Sequence, residues 1–278
     1  MKVMKSHVSW KQKINYVTLP VAVFLVLVVV INSSSAFVYG NSMGPSFNKY
    51  WEQAMDFLAE ETPENSNILS WWDFGYWFQT RGERPSLTDG GFGKRYDVAI
   101  WYIADSKNWT DFEPWLKDTY GIDYILMDYS LPGKYGAISK IGTQAENIVG
   151  IMQFNPSQIL SQGDVTIQEF KAGAYTLWIP QTSSGELASP PMLLISQNGQ
   201  YQSKAYINEL CTDSGIVRVG DEPQSIGGCV AITGFGVFYV PEEAENTIFS
   251  SLMFMEGYDL PVEKVFDNQA IQIFKVEY

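Results

Sequence analysis

Three tryptophans fall within seven residues in the run Trp71-Trp72-Asp73-Phe74-Gly75-Tyr76-Trp77. An indole N–H donates a hydrogen bond and cannot accept one, whereas a carboxylate only accepts. Two indole donors beside the Asp73 carboxylate therefore match a hydroxyl group, which does both. Aromatic walls exclude water and strengthen each of those bonds. A ligand lacking the hydroxyl leaves such a site with unpaired polar groups and is rejected. Gly75 is expected to let the backbone turn tightly behind the carboxylate. Two other readings fit the same residues. One is a tryptophan-rich core segment in which Asp73 caps a helix. The other is a platform whose flat aromatic faces stack on sugar C–H surfaces.

Several chemistries are excluded. The only histidine, His7, lies in a basic N-terminal tail. Ser-His-Asp, Cys-His and histidine-based zinc sites have no second histidine to draw on. Asp111 and Glu113 form a close acidic pair but stand without further carboxylates, and an ion site needs several convergent oxygens. The two cysteines, Cys211 and Cys229, form one disulfide if this region lies in an oxidising compartment and are buried thiols otherwise; the Gly-, Ser- and Asp-rich sequence around them favours the bridge. All 31 acidic residues lie beyond Gly40, while four of the 18 Lys and Arg residues precede it. A surface so acidic repels phosphate backbones, which argues against a nucleic-acid partner.

The elements that must position the motif are read from apolar periodicity. Residues 15–38 form an apolar stretch long enough, as a helix, to cross ~30 Å of hydrocarbon. Lys2, Lys5, Lys11 and Lys13 before it keep the N-terminus in the cytoplasm and the remainder outside. A cleaved signal peptide has the same parts, with small residues at Ser34 and Ala36, and also exports the rest of the chain. Phe47, Trp51, Met55 and Leu58 recur at helical spacing, ended by Thr62-Pro63. Helices are expected over 97–103, 113–119 and 137–154, with a buried strand over 124–127. After Asn155-Pro156 the pattern turns strand-like, over 166–170, 174–179, 192–196, 217–219 and 230–239. One helix is then expected from Glu242 to Met255, stopped by Gly257, before two last strands over 262–266 and 270–276. The fold class is α+β. The expected organisation is a cytoplasmic tail (1–14), a single transmembrane helix (15–38), a helix-rich core with the motif (39–155) and a strand-rich peripheral region (156–278).

The run from Trp71 to Trp77 resembles the WWDYG signature of the oligosaccharyltransferase catalytic subunit family, with Phe74 in place of the usual tyrosine. The flanking order is similar to that of archaeal members: an apolar helix before the motif, a helix ending in Thr62-Pro63, and Asp89-Gly90-Gly91 downstream. The stretch from Pro241-Glu242 through Ser250-Ser251-Leu252-Met253-Phe254 and Gly257-Tyr258 to Lys275-Val276 fits as well. The family's second element is Asp-x-x-Lys-x-x-x-Ile/Met. Lys134 and Ile138 match its second half. Its aspartate falls on Leu131, so Asp128 can serve only if residues 129–133 bulge.

The resemblance implies that Trp71, Trp72, Asp73, Lys134 and Ile138 bind the acceptor, with Asp128 as a possible second-motif acid. Ile138 would favour threonine over serine by one methyl group, about 1 kcal/mol. It further implies a glycosyltransferase that moves a lipid-linked oligosaccharide onto asparagine in Asn-x-Ser/Thr at a cell membrane. A divalent metal, Mg or Mn, would be held by acidic loops that precede the motif in the family. No such acids occur before Glu52 here, so no catalytic or metal-binding residue is assigned in this chain, and a multi-helix membrane partner or region is expected to supply the chemistry. The alternative is a non-catalytic, membrane-anchored module that binds sugars or peptides.

Overall fold

The computed structural model describes residues 21, 23–28, 47–91, 93–145, 148–197 and 200–278. Val21 and residues 23–28 are helical with exposed side chains. The membrane span expected over 15–38 falls mostly outside the described residues. Among those described, no helix is long and apolar enough to cross a membrane. The chain divides into two units, Met1–Lys49 and Tyr50–Tyr278. The motif and the candidate residues Asp128, Lys134 and Ile138 lie in the second.

Helix α1 (Lys49–Glu61) buries Trp51, Ala54, Met55 and Leu58 on one face, the spacing that makes a helix amphipathic. Its C-terminal carbonyls lack partners within the helix. Arg84 supplies them: it is almost fully buried, and its Nη2 donates to Ala59 O at 2.9 Å and Thr62 O at 2.5 Å. A cation at this end also opposes the helix dipole. The chain then forms β1 (Asn67–Leu69), the motif with its short helix α2 (Gly75–Thr80), and α3 (Arg95–Ile103). The helix expected over 113–119 is α4 (Trp109–Pro114) followed by a single wide turn, Trp115–Thr119. Strand β2 (Ile122–Asp128) leads into α5 (Leu131–Thr143).

The helix expected over 137–154 ends early. Gln144 takes a left-handed φ of 54°, and β3 (Met152–Gln162) begins where 152–154 pair with a later strand. Pro156 lies inside β3, at a register shift between Pro156 and Gln158. A proline cannot donate to a ladder, so a bulge is where a strand tolerates one. Next come β4 (Val165–Ala172), β5 (Tyr175–Thr182), β6 (Met192–Gln197), β7 (Gln200–Thr212) and β8 (Gly215–Arg218). The strand expected over 230–239 is a hairpin, β9 (Ser225–Thr233) and β10 (Gly236–Val240). The helix expected from Glu242 to Met255 is two, α6 (Glu242–Glu245) and α7 (Ile248–Phe254). Thr247 breaks them apart by capping α7, its side chain accepting from Ser250 N at 3.2 Å. Strands β11 (Val262–Asp267) and β12 (Ile271–Val276) end the chain.

Among the described residues two sheets result, confirming the mixed α+β class. The first has the order β1-β2-β12-β11, with β1 parallel to β2 and the rest antiparallel. The second runs β6-β5-β4-β3-β10-β9-β7-β8, and pairing of β6 with β7 closes seven of its strands into a barrel. Side chains alternate across such a wall. Val230 and Val237 point into a barrel core with Phe154, Phe170, Leu177 and Ile207. Their neighbours Ala231 and Phe238 face outward into a second core with Phe249, Leu252 and Met253 of α7. Cys211 and Cys229 lie in that second core and are joined as a disulfide between β7 and β9.

Buried charges are handled unequally. Glu169 on β4 accepts from Ser157, Gln158, Trp178, Tyr201 and Lys171. Burial alone would raise its pKa, but these donors win and bring it down to about 2. Glu245 is 8% exposed, and its Oε2 has no hydrogen-bond partner among the described residues. Burial, then the nearby Glu209 and Glu242, push its pKa up to about 7, against the pull of the Asn246 amide.

A carboxyl raised in the folded state stabilises fully below its unfolded pKa and loses that contribution as pH rises through the folded value. Thermal melting of Glu245→Gln should therefore exceed that of the parent at pH 8, with the gap closing by pH 5. Replacing both cysteines by alanine opens a loop of 18 residues and should lower unfolding free energy by about 3 kcal/mol in denaturant titration.

Candidate functional site

The motif begins where β1 stops. Trp71 is extended at φ −67°, ψ 145°, and Trp72–Phe74 make one tight helical turn that runs directly into α2. This turn sends its side chains in different directions. Trp71 is buried in the core that also contains Val98, Trp101 and Ile138. Trp72, partly buried, packs on its flank with ring centroids 6.3 Å apart. Phe74 is buried against Trp51 and Trp77, at 4.4 and 5.3 Å. Asp73 is left at the rim.

Lys134 meets Asp73 there. It closes the first turn of α5, and its Nζ donates to Asp73 Oδ2 at 2.5 Å across 61 residues of sequence. Both side chains keep part of their surface in solvent, 31% for Lys134 and 24% for Asp73. The ammonium also sits 4.4 Å from the centroid of the Phe74 ring. A cation is held by the face of an aromatic ring, so Phe74 does here what a tyrosine would do without using a hydroxyl.

Asp128 does not touch Lys134. It is the last residue of β2 and almost fully buried; its Oδ1 accepts from Ser130 N at 2.9 Å and Ser130 Oγ at 2.6 Å, while Oδ2 has no hydrogen-bond partner among the described residues. Residues 129–133 form no bulge. They make a turn held by Asp128 and then the first turn of α5. Burial raises the Asp128 pKa and Asp73 adds to that push, whereas the Ser130 donors and the Lys134 charge oppose it. Ile138, expected to touch an acceptor methyl, is fully buried in the core one turn after Lys134. In this structure it anchors the helix face that carries Lys134 and presents no methyl to solvent.

Gly75 has ordinary helical angles, φ −54° and ψ −36°, so a tight turn is not why it is glycine. A Cβ there would lie 2.0 Å from Thr88 O and 2.6 Å from Asp89 Cα. The residue is glycine because a second segment crosses directly over it. The sequence carried no signal for that crossing, nor for the buried hydroxyls of Ser70 and Thr88 beneath it.

Among the described residues, no three His, Cys, Asp or Glu side chains come together closely enough to hold a metal ion. At Asp73 the Lys134 ammonium already answers the carboxylate, so this donor set does not fit a divalent cation. A cleft of about 400 Å³ lined by Leu210, Asp213, Phe235, Glu256 and Gln272 lies elsewhere, and no motif residue lines it.

No protein-family model matches the chain. It is 36% identical over 97 residues to dolichyl-phosphooligosaccharide-protein glycotransferase 1 of Pyrococcus furiosus, covering 33% of this chain and 10% of that protein. It is 28% identical over 188 residues to glycotransferase 2 of the same organism, covering 64% of this chain and 24% of that one. The chain thus spans 10–24% of the length of these relatives. The crystal structure of the C. jejuni PglB C-terminal domain superposes with a TM-score of 0.50 at 11% identity, covering 82% of this chain and 99% of that domain. At that identity the likeness is one of fold.

The geometry separates stability from binding. Gly75→Ala drives a methyl group into backbone and should cost about 3 kcal/mol in denaturant unfolding. Lys134→Ala removes a partly exposed ion pair and should cost under about 1 kcal/mol in the same measurement.

Proposed function

From its kinship with archaeal oligosaccharyltransferases, we propose that this chain forms the part of such an enzyme that recognises the acceptor sequence Asn-x-Ser/Thr. One observation carries the reading: Lys134 Nζ stands 2.5 Å from Asp73 Oδ2. It supports a role for both residues in a single site, as the resemblance implies. Lys134 holds one oxygen of the carboxylate, Oδ2, and in this reading the other, Oδ1, is left for the acceptor. There an acceptor hydroxyl donates to Oδ1 and receives a bond in return from an indole N–H of the Trp71–Trp72 pair. Trp71 is the floor of this site and Trp72 its wall. Asp128 acts indirectly, through Ser130, by setting the start of the helix that carries Lys134. Ile138 has no part in contacting the acceptor in this reading.

Glycan transfer needs more than this. The reaction's lipid-linked oligosaccharide, its divalent metal and the groups that activate the asparagine amide are assigned to a multi-helix membrane part outside residues 1–278. The apolar stretch over 15–38 would tether this domain to the same membrane, on the extracytoplasmic side.

Peptide affinity tests the reading. A hydrogen bond to a charged group contributes roughly 1.5–3 kcal/mol, or about ten- to a hundredfold in Kd. Fluorescence anisotropy should therefore show an Asn-x-Thr peptide bound at least about tenfold more tightly than Asn-x-Ala, each 1.4 kcal/mol being one factor of ten. Asp73→Ala should abolish the difference and Lys134→Ala reduce it. Equal affinity of the parent protein for the two peptides would overturn the proposal, and glycan binding indifferent to the tripeptide would favour a sugar-stacking surface instead.

A further inference from the structure

Asp73 and Lys134 belong to segments that leave neighbouring strands, and something must hold those segments in register. The sheet itself does little of this. Strand β1 is three residues long, its pairing with β2 shifts register between Asn67 and Ile68, and the last matched pair is Leu69 with Ile125. Beyond that point side chains continue the ladder. Ser70 Oγ donates to Leu126 O at 2.9 Å. Thr88 Oγ1 donates to Ser70 O at 2.8 Å, and Ser86 Oγ donates to Thr88 O at 2.6 Å. Ser70 and Thr88 are 0% and 2% exposed.

This short chain of hydroxyls spans the two halves of the site. Ser70 immediately precedes Trp71, and Leu126 lies two residues before Asp128. Thr88 touches the motif twice. Its hydroxyl holds the carbonyl of Ser70 at the entrance, and its own carbonyl lies against Gly75 at the exit. The segment around it is fixed in turn by Ile68 N to Pro85 O at 2.9 Å and Leu87 N to Ile68 O at 3.0 Å. One threonine thus meets the run from Trp71 to Gly75 at both ends, by a hydrogen bond to the preceding Ser70 and by close backbone approach at Gly75.

We propose that Thr88 and Ser70 are positioning residues that set the place of Asp73 relative to Lys134 and so determine selectivity for the acceptor hydroxyl. The inference rests on the acceptor-recognition reading above. Hydrogen bonds weaken steeply with small errors of distance and angle, and a binding constellation must be held to within about 0.5 Å. Ser70 Oγ links the two halves directly and Thr88 holds the Ser70 backbone from the other side, so cutting either bond loosens Asp73 relative to Lys134 and lowers selectivity even while the fold survives.

The test compares Thr88→Val, which keeps the shape and deletes the hydroxyl, with Thr88→Ser, which keeps the hydroxyl. The readout is the ratio of affinities for Asn-x-Thr and Asn-x-Ala peptides, measured below the thermal transition of each variant. Thr88→Val should lower the ratio at least about fivefold, in line with the loss of one well-placed hydrogen bond, and Thr88→Ser should restore it to within about twofold of the parent. A merely structural role would lower the melting temperature and leave the ratio of the folded protein unchanged. A parental ratio that survives in Thr88→Val overturns the positioning role alone. A parental ratio of one overturns the acceptor reading and this inference with it. Should Thr88→Val not fold, Ser70→Ala cuts the same chain one bond further on, and the same two outcomes decide.

Discussion

Strand β2 has a partner on each edge and buried residues along nearly its whole length, and both halves of the site hang from it. On one edge, β1 delivers the Trp71–Asp73 turn. From its end, the Asp128–Ser130 turn launches α5 with Lys134. On the other edge, β12 ties the end of the chain to the middle. A strand enclosed in this way has little freedom to slide, because a slip of one residue would turn its apolar side chains to the wrong face. The ion pair at the rim inherits that rigidity. It costs little to make because both partners keep solvent contact, so desolvation, which makes fully buried pairs expensive, is small.

Legibility in the sequence followed the range of the interactions. Trp51, Met55 and Leu58 announced their helix through local spacing, and the buried strand over Tyr124–Met127 was visible as an apolar run. The motif from Trp71 to Gly75 was visible too, although the reason for its glycine was not. Gly75 answers to Thr88, a residue in another segment, and no local pattern reports a crossing backbone. Lys134 was found through resemblance rather than chemistry, since a lysine four residues into a helix looks like any solvated lysine. Ser70 and Thr88 read as loop polarity because their partners are carbonyls, which every sequence contains.

The departures from local expectation share one cause. The apolar residues Ile148, Ile151, Met152 and Phe154 have spacing that suits a helix, yet 152–154 pair with β10, more than eighty residues further on. Residues 230–239 read as one strand because both arms of the hairpin are apolar and the turn between them is short. Residues 242–255 read as one helix because the capping hydroxyl of Thr247 resembles any polar residue on an exposed face. In each case a distant or side-chain hydrogen bond overrode a valid local preference, which is the usual way tertiary structure defeats periodicity.

Closure of the barrel through β6 and β7 removes the edge that an open sheet would leave along β6. The outer edge of β1 is occupied as well, by the backbone around Pro85–Leu87. Among the described residues, open edges remain at the four-residue β8, at the charged β11 with Glu263, Lys264 and Asp267, and along residues 155–162 of β3, which pair with β4 alone. Open edges recruit extended chains through their backbones, whatever their sequence. A domain that scans polypeptides for one tripeptide, as proposed here, is hindered by such edges, because a passing segment can add itself as another strand. On the proposed reading, each edge withdrawn is one place fewer for a client chain to lodge by its backbone before its side chains are read.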